Sequence, residues 1–207
     1  MNCTPAAPIT VIGGGGHAKV IVGLIQALGV EIAAIRDENP EVVGMTVLGV
    51  PVEHPSTEAS TEPRVLAVGD NRARAVVAKR VRGPFATLIH PAAFVAPDAE
   101  LGPGTVVCAG AVIQPGAHVG SHVVVNTGST IDHDCRIGDY VHLAPGVNLA
   151  GEVTVEEGAF LGVGSAVVNG LVIGAWATLG AGAVATRNIE ATVTAVGTPA
   201  RPLRRTR

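Results

Sequence analysis

An aliphatic residue returns at every sixth position along residues 89–184. The series has sixteen members and no gap: Ile89, Val95, Leu101, Val107, Ile113, Val119, Val125, Ile131, Ile137, Leu143, Leu149, Val155, Leu161, Val167, Ile173 and Leu179. A period of six fits neither the 3.6 residues of a helical turn nor the two-residue alternation of a strand, so the repeat itself is the architecture. Hexads of this kind predict a parallel β-helix.

Two further positions of the hexad carry structural information. The residue four places after each aliphatic is small or slim, as at Ala111, Ala117 and Ser129. One large and one small inward residue per hexad would fill a narrow prism. The third place after the aliphatic is glycine in nine hexads and aspartate at Asp98 and Asp134, which predicts a corner with positive φ.

Residues 7–85 follow a different pattern. An apolar strand at 8–12 precedes a glycine run, a helix that ends before Gly29, and a second strand at 31–35 that leads to Asp37. This order predicts a unit in which backbone N–H groups at a helix N-terminus hold a phosphate. Further strands are expected at 46–50 and 64–68, and then a helix to about residue 82. Only half of a dinucleotide domain fits before the repeat, so the site is predicted to take a mononucleotide.

The segments after these strands are expected around one crevice, because the carboxyl ends of parallel strands share a sheet edge. The predicted nucleotide contacts are Gly14, Gly15, Gly16, His17, Ala18, Lys19, Asp37, Gly69 and Asn71. Asp37 fits either a ribose or base contact or an exposed loop acid. His17 fits either a ligand contact or a cover over the helix N-terminus.

Three motifs, in their order along the chain, resemble a known family. Residues 14–19 (GGGHAK), 68–74 (VGDNRAR) and 196–201 (VGTPAR), together with the hexads, are similar to the sialic acid O-acetyltransferase-like and nucleotide-aminosugar N-acetyltransferases, which belong to the hexapeptide-repeat acyltransferases of bacterial glycan synthesis. The resemblance covers nearly the whole chain. It implies an α/β Rossmann-like nucleotide-sugar-binding domain at residues 1–86. An all-β left-handed parallel β-helix of about five coils, with a C-terminal tail, is implied at residues 87–207.

The resemblance also implies the catalytic residues. Related acyltransferases carry a histidine followed by an acid at the hexad that here holds His133 and Asp134. His133 is therefore expected to be the general base, and Asp134 is expected to orient it. A sugar amine that attacks the thioester of acetyl-CoA must lose a proton, and a histidine of near-neutral pKa can accept it. Adjacent side chains on a straight strand diverge, so the pair requires a corner that turns Asp134 back.

Positions 18 residues apart stack on one another, and this predicts further site residues. Gly151 lies one coil from His133, where it is either a donor to the oxyanion or a simple turn residue. His142 resembles the family's second histidine, which approaches the substrate or thioester, although a packed interface histidine fits nearly as well. The outward apolar file Val106, Val124, His142, Phe160 and Thr178 predicts the contact face of a homotrimer, with acetyl-CoA between adjacent β-helices as the family implies.

Composition narrows the classes of function. Apolar residues make up 47% and charged residues 15% of the 207, with a net charge of −3, which is typical of a globular protein without a broad nucleic-acid-binding surface. Three scattered cysteines predict neither disulfides nor a metal site. No apolar run is long enough to span a membrane, and the N-terminus lacks the basic region of a signal peptide. A cytoplasmic protein with acetyl-CoA as cosubstrate is the expectation.

Several other functions fit the sequence less well or remain open. A γ-class carbonic anhydrase needs a zinc-binding histidine spacing that is absent here, and a dehydrogenase needs the second half of the nucleotide domain. A non-catalytic hexapeptide scaffold remains open, as does O-acetylation of sialic acid or another sugar. The predicted phosphate crevice favours N-acetylation of a nucleotide-linked amino sugar, such as a 4-amino-4,6-dideoxy sugar.

Overall fold

The structure is a computed structural model that describes residues 7–55 and 61–203. A small α/β unit comes first and a parallel β solenoid follows it. The elements of the α/β unit are β1 (Ile9–Ile12), α1 (Gly16–Ala27), β2 (Ile32–Arg36), β3 (Thr46–Val47), β4 (Val50–Glu53), β5 (Arg64–Leu66) and α2 (Asn71–Arg80).

The α/β unit is built on one sheet with strand order β3-β4-β2-β1-β5. Strands β4, β2, β1 and β5 are parallel, and β3 is antiparallel at the edge. Ile9 and Val11 of the central strand are fully buried, and Ile21 and Ile25 of α1 belong to the same core. Because β2, β1 and β5 are neighbours and run in the same direction, the segments that follow them meet at one edge of the sheet.

The strand predicted at residues 46–50 is instead a hairpin. Leu48 and Gly49 both have positive φ, 47° and 86°, between β3 and β4. A two-residue hairpin turn of this type requires positive φ at both central residues, and glycine adopts this conformation at little cost. The continuous apolar run concealed this reversal, so the prediction of a single strand was wrong.

The solenoid begins at residue 88 and consists almost entirely of two-residue strands. In chain order they are β6 (Leu88–Ile89), β7 (Phe94–Val95), β8 (Glu100–Leu101), β9 (Val106–Val107), β10 (Val112–Ile113), β11 (His118–Val119), β12 (Val124–Val125), β13 (Thr130–Ile131), β14 (Arg136–Ile137), β15 (His142–Leu143), β16 (Asn148–Leu149), β17 (Thr154–Val155), β18 (Phe160–Leu161), β19 (Ala166–Val167), β20 (Val172–Ile173), β21 (Thr178–Leu179), β22 (Val184–Ala185), β23 (Thr194–Val196) and β24 (Arg201–Pro202).

From β6 to β19, each of these strands pairs in parallel with the strand three places later, so the solenoid has three faces. Face 1 runs from β7 to β22 and face 2 from β8 to β20; face 3 runs from β6 through β21 to β23 and β24. The aliphatic and small positions of the hexad point inward, as predicted, and Ile113, Ala117 and Ile131 are fully buried. The parallel β-helix is thereby confirmed.

The solenoid is longer than the five coils expected. Face 3 stacks β6, β9, β12, β15, β18, β21 and β23 in parallel, and β24 then pairs antiparallel with β23. Strands β22 and β23 follow the last aliphatic of the hexad series. Their inward residues, Ala185 and Ala195, are fully buried but small, so a count of large aliphatics misses them.

The corners of the solenoid use the left-handed backbone conformation. All nine predicted glycines have positive φ, and so do His122, Asp134, Tyr140, Glu152 and Trp176 at the equivalent position of other hexads; Asp98 does not. Holding a non-glycine residue in this conformation costs roughly 1–3 kcal/mol, and such residues cluster at functional sites. The five side chains therefore mark corners where packing or function outweighs that cost.

The α/β unit packs directly on face 3. One apolar core joins α1 and β1 to Leu88, Val106 and Cys108 of the solenoid. Val106 and Val124, two members of the outward apolar file, are only 1% and 2% exposed. The prediction that this file is the trimer face was therefore wrong at these buried positions, and at Val106 the core of the chain's own α/β unit covers the file.

Candidate functional site

His133 and Asp134 form a hydrogen-bonded pair at the corner between face 1 and face 2. Asp134 has a φ of 59°, and this turn brings its carboxylate back to the neighbouring imidazole. The distance from His133 Nδ1 to Asp134 Oδ2 is 2.8 Å. The backbone N–H of His133 donates to Asp132 Oδ1 at 2.7 Å. The corner thus supplies the geometry that the pair requires.

This pairing sets the properties of the imidazole. The hydrogen bond that His133 donates to Asp134 raises the pKa of His133 above its ordinary value. Desolvation acts against this increase, and the nearby charges of Asp132, Asp134 and Glu152 add to it. With Nδ1–H donating to the carboxylate, Nε2 keeps its lone pair. Since the His133 side chain is 55% exposed, Nε2 can accept a proton from a bound molecule.

Gly151 lies against the ring of His133 from the next coil. A Cβ atom on Gly151 would collide with Nε2 and Cε1 of His133, so only glycine fits here while the ring keeps its place. The stacking that the 18-residue period predicted is confirmed by this contact. Whether Gly151 also donates its N–H to a reaction intermediate stays a prediction.

In the glycine run between β1 and α1, two glycines are closely packed and two face open space. Side chains on Gly13 or Gly14 would clash with Ala67 O at 2.9 Å or with Val52 at 2.8 Å. Gly15 and Gly16 are exposed, and a Cβ on either would meet nothing within 4 Å. Helix α1 has no side-chain N-cap and no acid in its first turn. Open space therefore lies over a helix N-terminus with unoccupied N–H groups.

The remaining predicted crevice residues differ in their environment. Asp37 accepts hydrogen bonds from Gly14 N–H at 2.6 Å and from Asn39 N–H at 2.8 Å, so it fixes the glycine loop. Lys19 is exposed. Ala18 is fully buried in the core and its N–H donates to Gly15 O. Ala18 therefore supports the loop from below, and its side chain cannot contact a ligand.

Two neutral histidines lie where the crevice meets face 3. The rings of His17 and His142 are 6.0 Å apart. Burial lowers the pKa of each to about 4, and the charge of Arg74 acts in the same direction. His142 Nδ1 lies 3.3 Å from Gly69 O and its Nε2 lies 3.2 Å from Asn126 Nδ2. Nε2 of His17 is buried and has no partner among the described residues, so of these two rings only that of His17 has an unused nitrogen.

Asn71 and Arg74 clamp the α/β unit to the solenoid. Asn71 Nδ2 donates to Gly158 O and Ala159 O, and its Oδ1 accepts from Arg74. The Arg74 guanidinium also donates to the carbonyls of Val68, Gly69, His122 and Tyr140. These bonds engage the side-chain amide of Asn71, and a contact of this residue with the nucleotide sugar stays a prediction.

Sequence reasoning left Arg74 without a role, although its motif was recognised. An exposed-looking arginine in a helix gives no sign of burial, yet Arg74 is only 1% exposed. Burial lowers the pKa of Arg74 to about 10, so it stays charged at neutral pH. The signal that could have identified it is the Asn71-x-x-Arg74 spacing, which places both side chains on the same side of α2.

The structure does not bring all the predicted residues together within one chain. His133 lies in the turn between β13 of face 1 and β14 of face 2, whereas His17, Gly69 and His142 lie against face 3. A three-sided prism has the corner between faces 1 and 2 opposite face 3. The crevice and the predicted catalytic pair of one chain therefore point away from each other.

Neither a metal-binding cluster nor a membrane-spanning helix is found in the described part of the chain. Among residues 7–55 and 61–203, no three His, Cys, Asp or Glu side chains converge as metal ligands. The same residues contain no helix that is long and apolar enough to cross a membrane.

Two family models match separate parts of the chain. Residues 8–81 match the PglD N-terminal domain, and residues 116–151 match the bacterial transferase hexapeptide (six repeats). The first match covers the α/β unit and the second covers the part of the solenoid that holds His133, His142 and Gly151.

Solved structures are similar over nearly the full length. PerB from Caulobacter crescentus, in complex with CoA and GDP-perosamine, is 39% identical with a TM-score of 0.88; the match covers 96% of this chain and 98% of that one. The chain belongs to the nucleotide-aminosugar N-acetyltransferase family. Within this family, the acetyltransferase domain of PglB from Neisseria gonorrhoeae, in complex with acetyl coenzyme A, is 36% identical with a TM-score of 0.88, over 95% of this chain and 98% of that one.

A curated relative is similar over a shorter stretch. UDP-N-acetylbacillosamine N-acetyltransferase from Bacillus subtilis is 42% identical over 110 residues, which is 49% of this chain and 51% of the relative. The chain thus matches about half the length of that relative.

Proposed function

We propose that the protein transfers the acetyl group of acetyl-CoA to the amino group of a nucleotide-linked amino sugar, with a 4-amino-4,6-dideoxy sugar as the favoured class. The observation that carries the proposal is the His133–Asp134 pair, 2.8 Å apart, with Nε2 of His133 directed at Gly151. Membership of the family supports the reaction. The structural relatives described above contain CoA with GDP-perosamine, or acetyl coenzyme A.

In the proposed reaction, the lone pair of the neutral sugar amine attacks the thioester carbonyl carbon. The nitrogen gains a bond to carbon and loses a proton to Nε2 of His133, while Asp134 stabilises the imidazolium. The carbonyl oxygen becomes an oxyanion, for which the Gly151 N–H is a candidate donor. Collapse of the intermediate breaks the carbon–sulfur bond, and the proton held by His133 is available to the leaving thiolate.

The α/β unit is proposed to hold the nucleotide diphosphate. Its open Gly15 and Gly16, the uncapped N-terminus of α1 and the unpartnered Nε2 of His17 support this role. We assign it to a Rossmann-like domain at residues 1–86, and we assign residues 87–207 to the acetyltransferase domain, with the left-handed sense that the family implies.

A homotrimer is part of this proposal. The catalytic pair lies at the corner opposite the face that carries the crevice, so one chain alone cannot present its own sugar to its own His133. A second copy that brings its corner to the crevice would complete the site. Each of three equivalent interfaces would then hold one acetyl-CoA.

Thiol release from acetyl-CoA tests the proposed reaction. Purified protein is assayed with UDP-, GDP- and dTDP-linked 4-amino-4,6-dideoxy sugars and with free sialic acid, and products are weighed by mass spectrometry. Turnover on one nucleotide amino sugar, with the mass gain of one acetyl group, is expected. Turnover on sialic acid alone would replace N-acetylation by O-acetylation. His133→Ala is expected to lower kcat, and His54→Ala, which removes an exposed histidine of the α/β unit, is the control.

A further inference from the structure

Trp176 and Arg72 form a contact whose purpose the solenoid fold does not explain. The Arg72 Cζ lies over the indole ring at 4.6 Å from its centroid. Trp176 is the single tryptophan of the chain and stands at a corner with a φ of 58°. A left-handed corner conformation is costly for a residue of this size. We therefore expect the indole of Trp176 to have a role in addition to forming the corner.

The indole has a fixed position. A Cβ on Gly158, one coil earlier, would collide with the six-membered part of the ring, so Trp176 lies directly on this glycine. Gly158 O also accepts the hydrogen bond from Asn71. The indole beneath Arg72 thus rests on the same glycine that Asn71 uses to hold the α/β unit on the solenoid.

The in-plane N–H donors of the Arg72 guanidinium have no partner among the described residues. Arg72 is exposed, and the described residues supply no carboxylate or hydrogen-bond partner for it. An aromatic ring engages only the face of a guanidinium, so the five in-plane N–H donors remain available. A guanidinium presented in this way suits the planar, bidentate recognition of phosphate oxygens.

A cavity lies beside this pair. Its volume is about 310 Å³ and its wall includes Gly69, Arg72, Phe160, Trp176 and Thr178. Phe160 packs edge-on against His142 at 5.4 Å between ring centroids. A Cβ on Gly69 would lie 3.7 Å from the Cβ of His17. The cavity therefore continues the crevice that begins at the glycine loop.

We propose that Arg72, held by Trp176, is a diphosphate-binding arm at the end of this crevice. Two molecules of the proposed reaction carry a diphosphate, the nucleotide sugar and CoA, and this inference rests on the proposed function for their presence. In either case the in-plane donors of Arg72 bind phosphate oxygens while the indole keeps the guanidinium in place. The expected contribution to binding is that of a charge-assisted hydrogen-bonded contact.

Calorimetric titration of the purified full-length protein tests the assignment. The probes are GDP, GMP, UDP, UMP and desulfo-CoA, and the variant is Arg72→Gln. Loss of a charge-assisted contact weakens binding about 10- to 100-fold. The expected result is a loss of this size for GDP and UDP if the arm binds the nucleotide sugar, or for desulfo-CoA if it binds CoA, and less than about 2-fold for the monophosphates. Arg80→Gln, which removes an exposed arginine at the other end of α2, is expected to bind every probe as the wild type does.

Trp176 supplies a direct signal because no other tryptophan contributes to emission. A change in emission with GDP or UDP assigns the arm to the nucleotide sugar, and a change with desulfo-CoA alone assigns it to CoA. Unchanged affinity of Arg72→Gln for all diphosphates would overturn the inference. Thiol release is measured in parallel. If the protein transfers acetyl groups but the affinity for diphosphates does not depend on Arg72, only this inference is overturned. If the affinity depends on Arg72 but no acetyl transfer occurs, only the proposed function is overturned.

Discussion

At the scale of single residues, the left-handed corners determine where chemistry is possible. Asp134 can reach its sequence neighbour His133 only because its φ is 59°. On a straight strand the two side chains would point to opposite sides. The same backbone conformation places the ring of Trp176 on Gly158. A repeat that tolerates a non-glycine residue at the corner can therefore carry a functional side chain there.

The pH dependence of activity follows from the raised pKa of His133. A general base acts in its neutral form, so kcat/KM is expected to fall as the pH drops through this raised pKa. Asp134→Asn removes the main cause of the increase. We expect the acidic limb of the pH profile to move to lower pH in this variant, together with a lower maximum because the imidazole is less well oriented. An acidic limb at the same pH in both proteins would contradict the assignment of His133 as base.

The contact between Gly151 and His133 gives a steric prediction. Gly151→Ala places a methyl group against Nε2 of His133, and the ring must move. Misplacement of a catalytic group by about 1 Å can lower the rate by about 100-fold, so a loss in kcat of this order is expected with little change in the KM for the nucleotide sugar. Gly23→Ala, in helix α1 where the nearest atom is 3.8 Å away, is the matched control. Equal kcat values for the two variants would show that His133 need not hold its place.

At the scale of elements, helix α2 connects the two parts of the molecule. Its first turn carries Asn71 and Arg74, whose side chains bind carbonyls of the solenoid. Asp70 caps the helix by accepting from Ala73 N–H at 2.8 Å. A short amphipathic helix thereby fixes the angle between crevice and solenoid, because its polar contacts cross the boundary.

Arg74→Met tests this connection. The variant keeps much of the side-chain volume but leaves buried carbonyls without a donor, and groups of this kind cost about 1–3 kcal/mol each. We expect a loss of about 3 kcal/mol or more in the free energy of unfolding, measured by urea denaturation. Arg80→Met, at an exposed position of the same helix, should stay within about 0.5 kcal/mol of the wild type. Equal losses in both variants would show that the buried contacts of Arg74 add nothing.

At the scale of the whole molecule, the two halves of the proposed site lie on opposite sides of one prism. The crevice packs against face 3, and His133 occupies the corner between faces 1 and 2. The assembly, and not the single chain, would then be the unit of activity.

Mixed assemblies test this arrangement. His133→Ala removes the proposed base. Gly16→Trp places a bulky side chain in the space over the glycine loop, from a position where a Cβ meets no other described atom within 4 Å. Each variant alone is expected to be nearly inactive. When the two chains are co-expressed and purified together by different tags, every trimer contains both variants. Only about one in three of its sites then combines the base of one chain with the crevice of its neighbour, so about a third of the wild-type kcat is expected. Mixtures as inactive as their parents would place both halves of the site within one chain.

The hexad pattern alone was sufficient to predict the solenoid and the location of its corners. Inward aliphatics repeat without a break, and nine glycines occupy the predicted left-handed positions. The length was underestimated because Ala185 and Ala195 are small inward residues that a count of aliphatics omits. The hairpin at Leu48 and Gly49 was missed since an apolar run contains no turn signal apart from one glycine.

The sequence by itself determined which residues could do chemistry. The resemblance to a known family pointed to His133 with Asp134, and the 18-residue stacking pointed to Gly151 one coil away; the structure places these three residues in contact. Local periodicity suffices here, because in a solenoid the residues that meet are separated by a fixed number of positions.

Only the tertiary structure decided what covers the apolar file and which polar residues are buried. Val106 lies under the chain's own α/β unit, and Arg74 is buried with carbonyl partners from distant segments. The packing of one unit against another follows no repeat, so no periodic pattern in the sequence predicts it. For this reason the sequence led to the catalytic corner, whereas the roles of face 3, Arg74 and the Arg72–Trp176 pair emerged only from the fold.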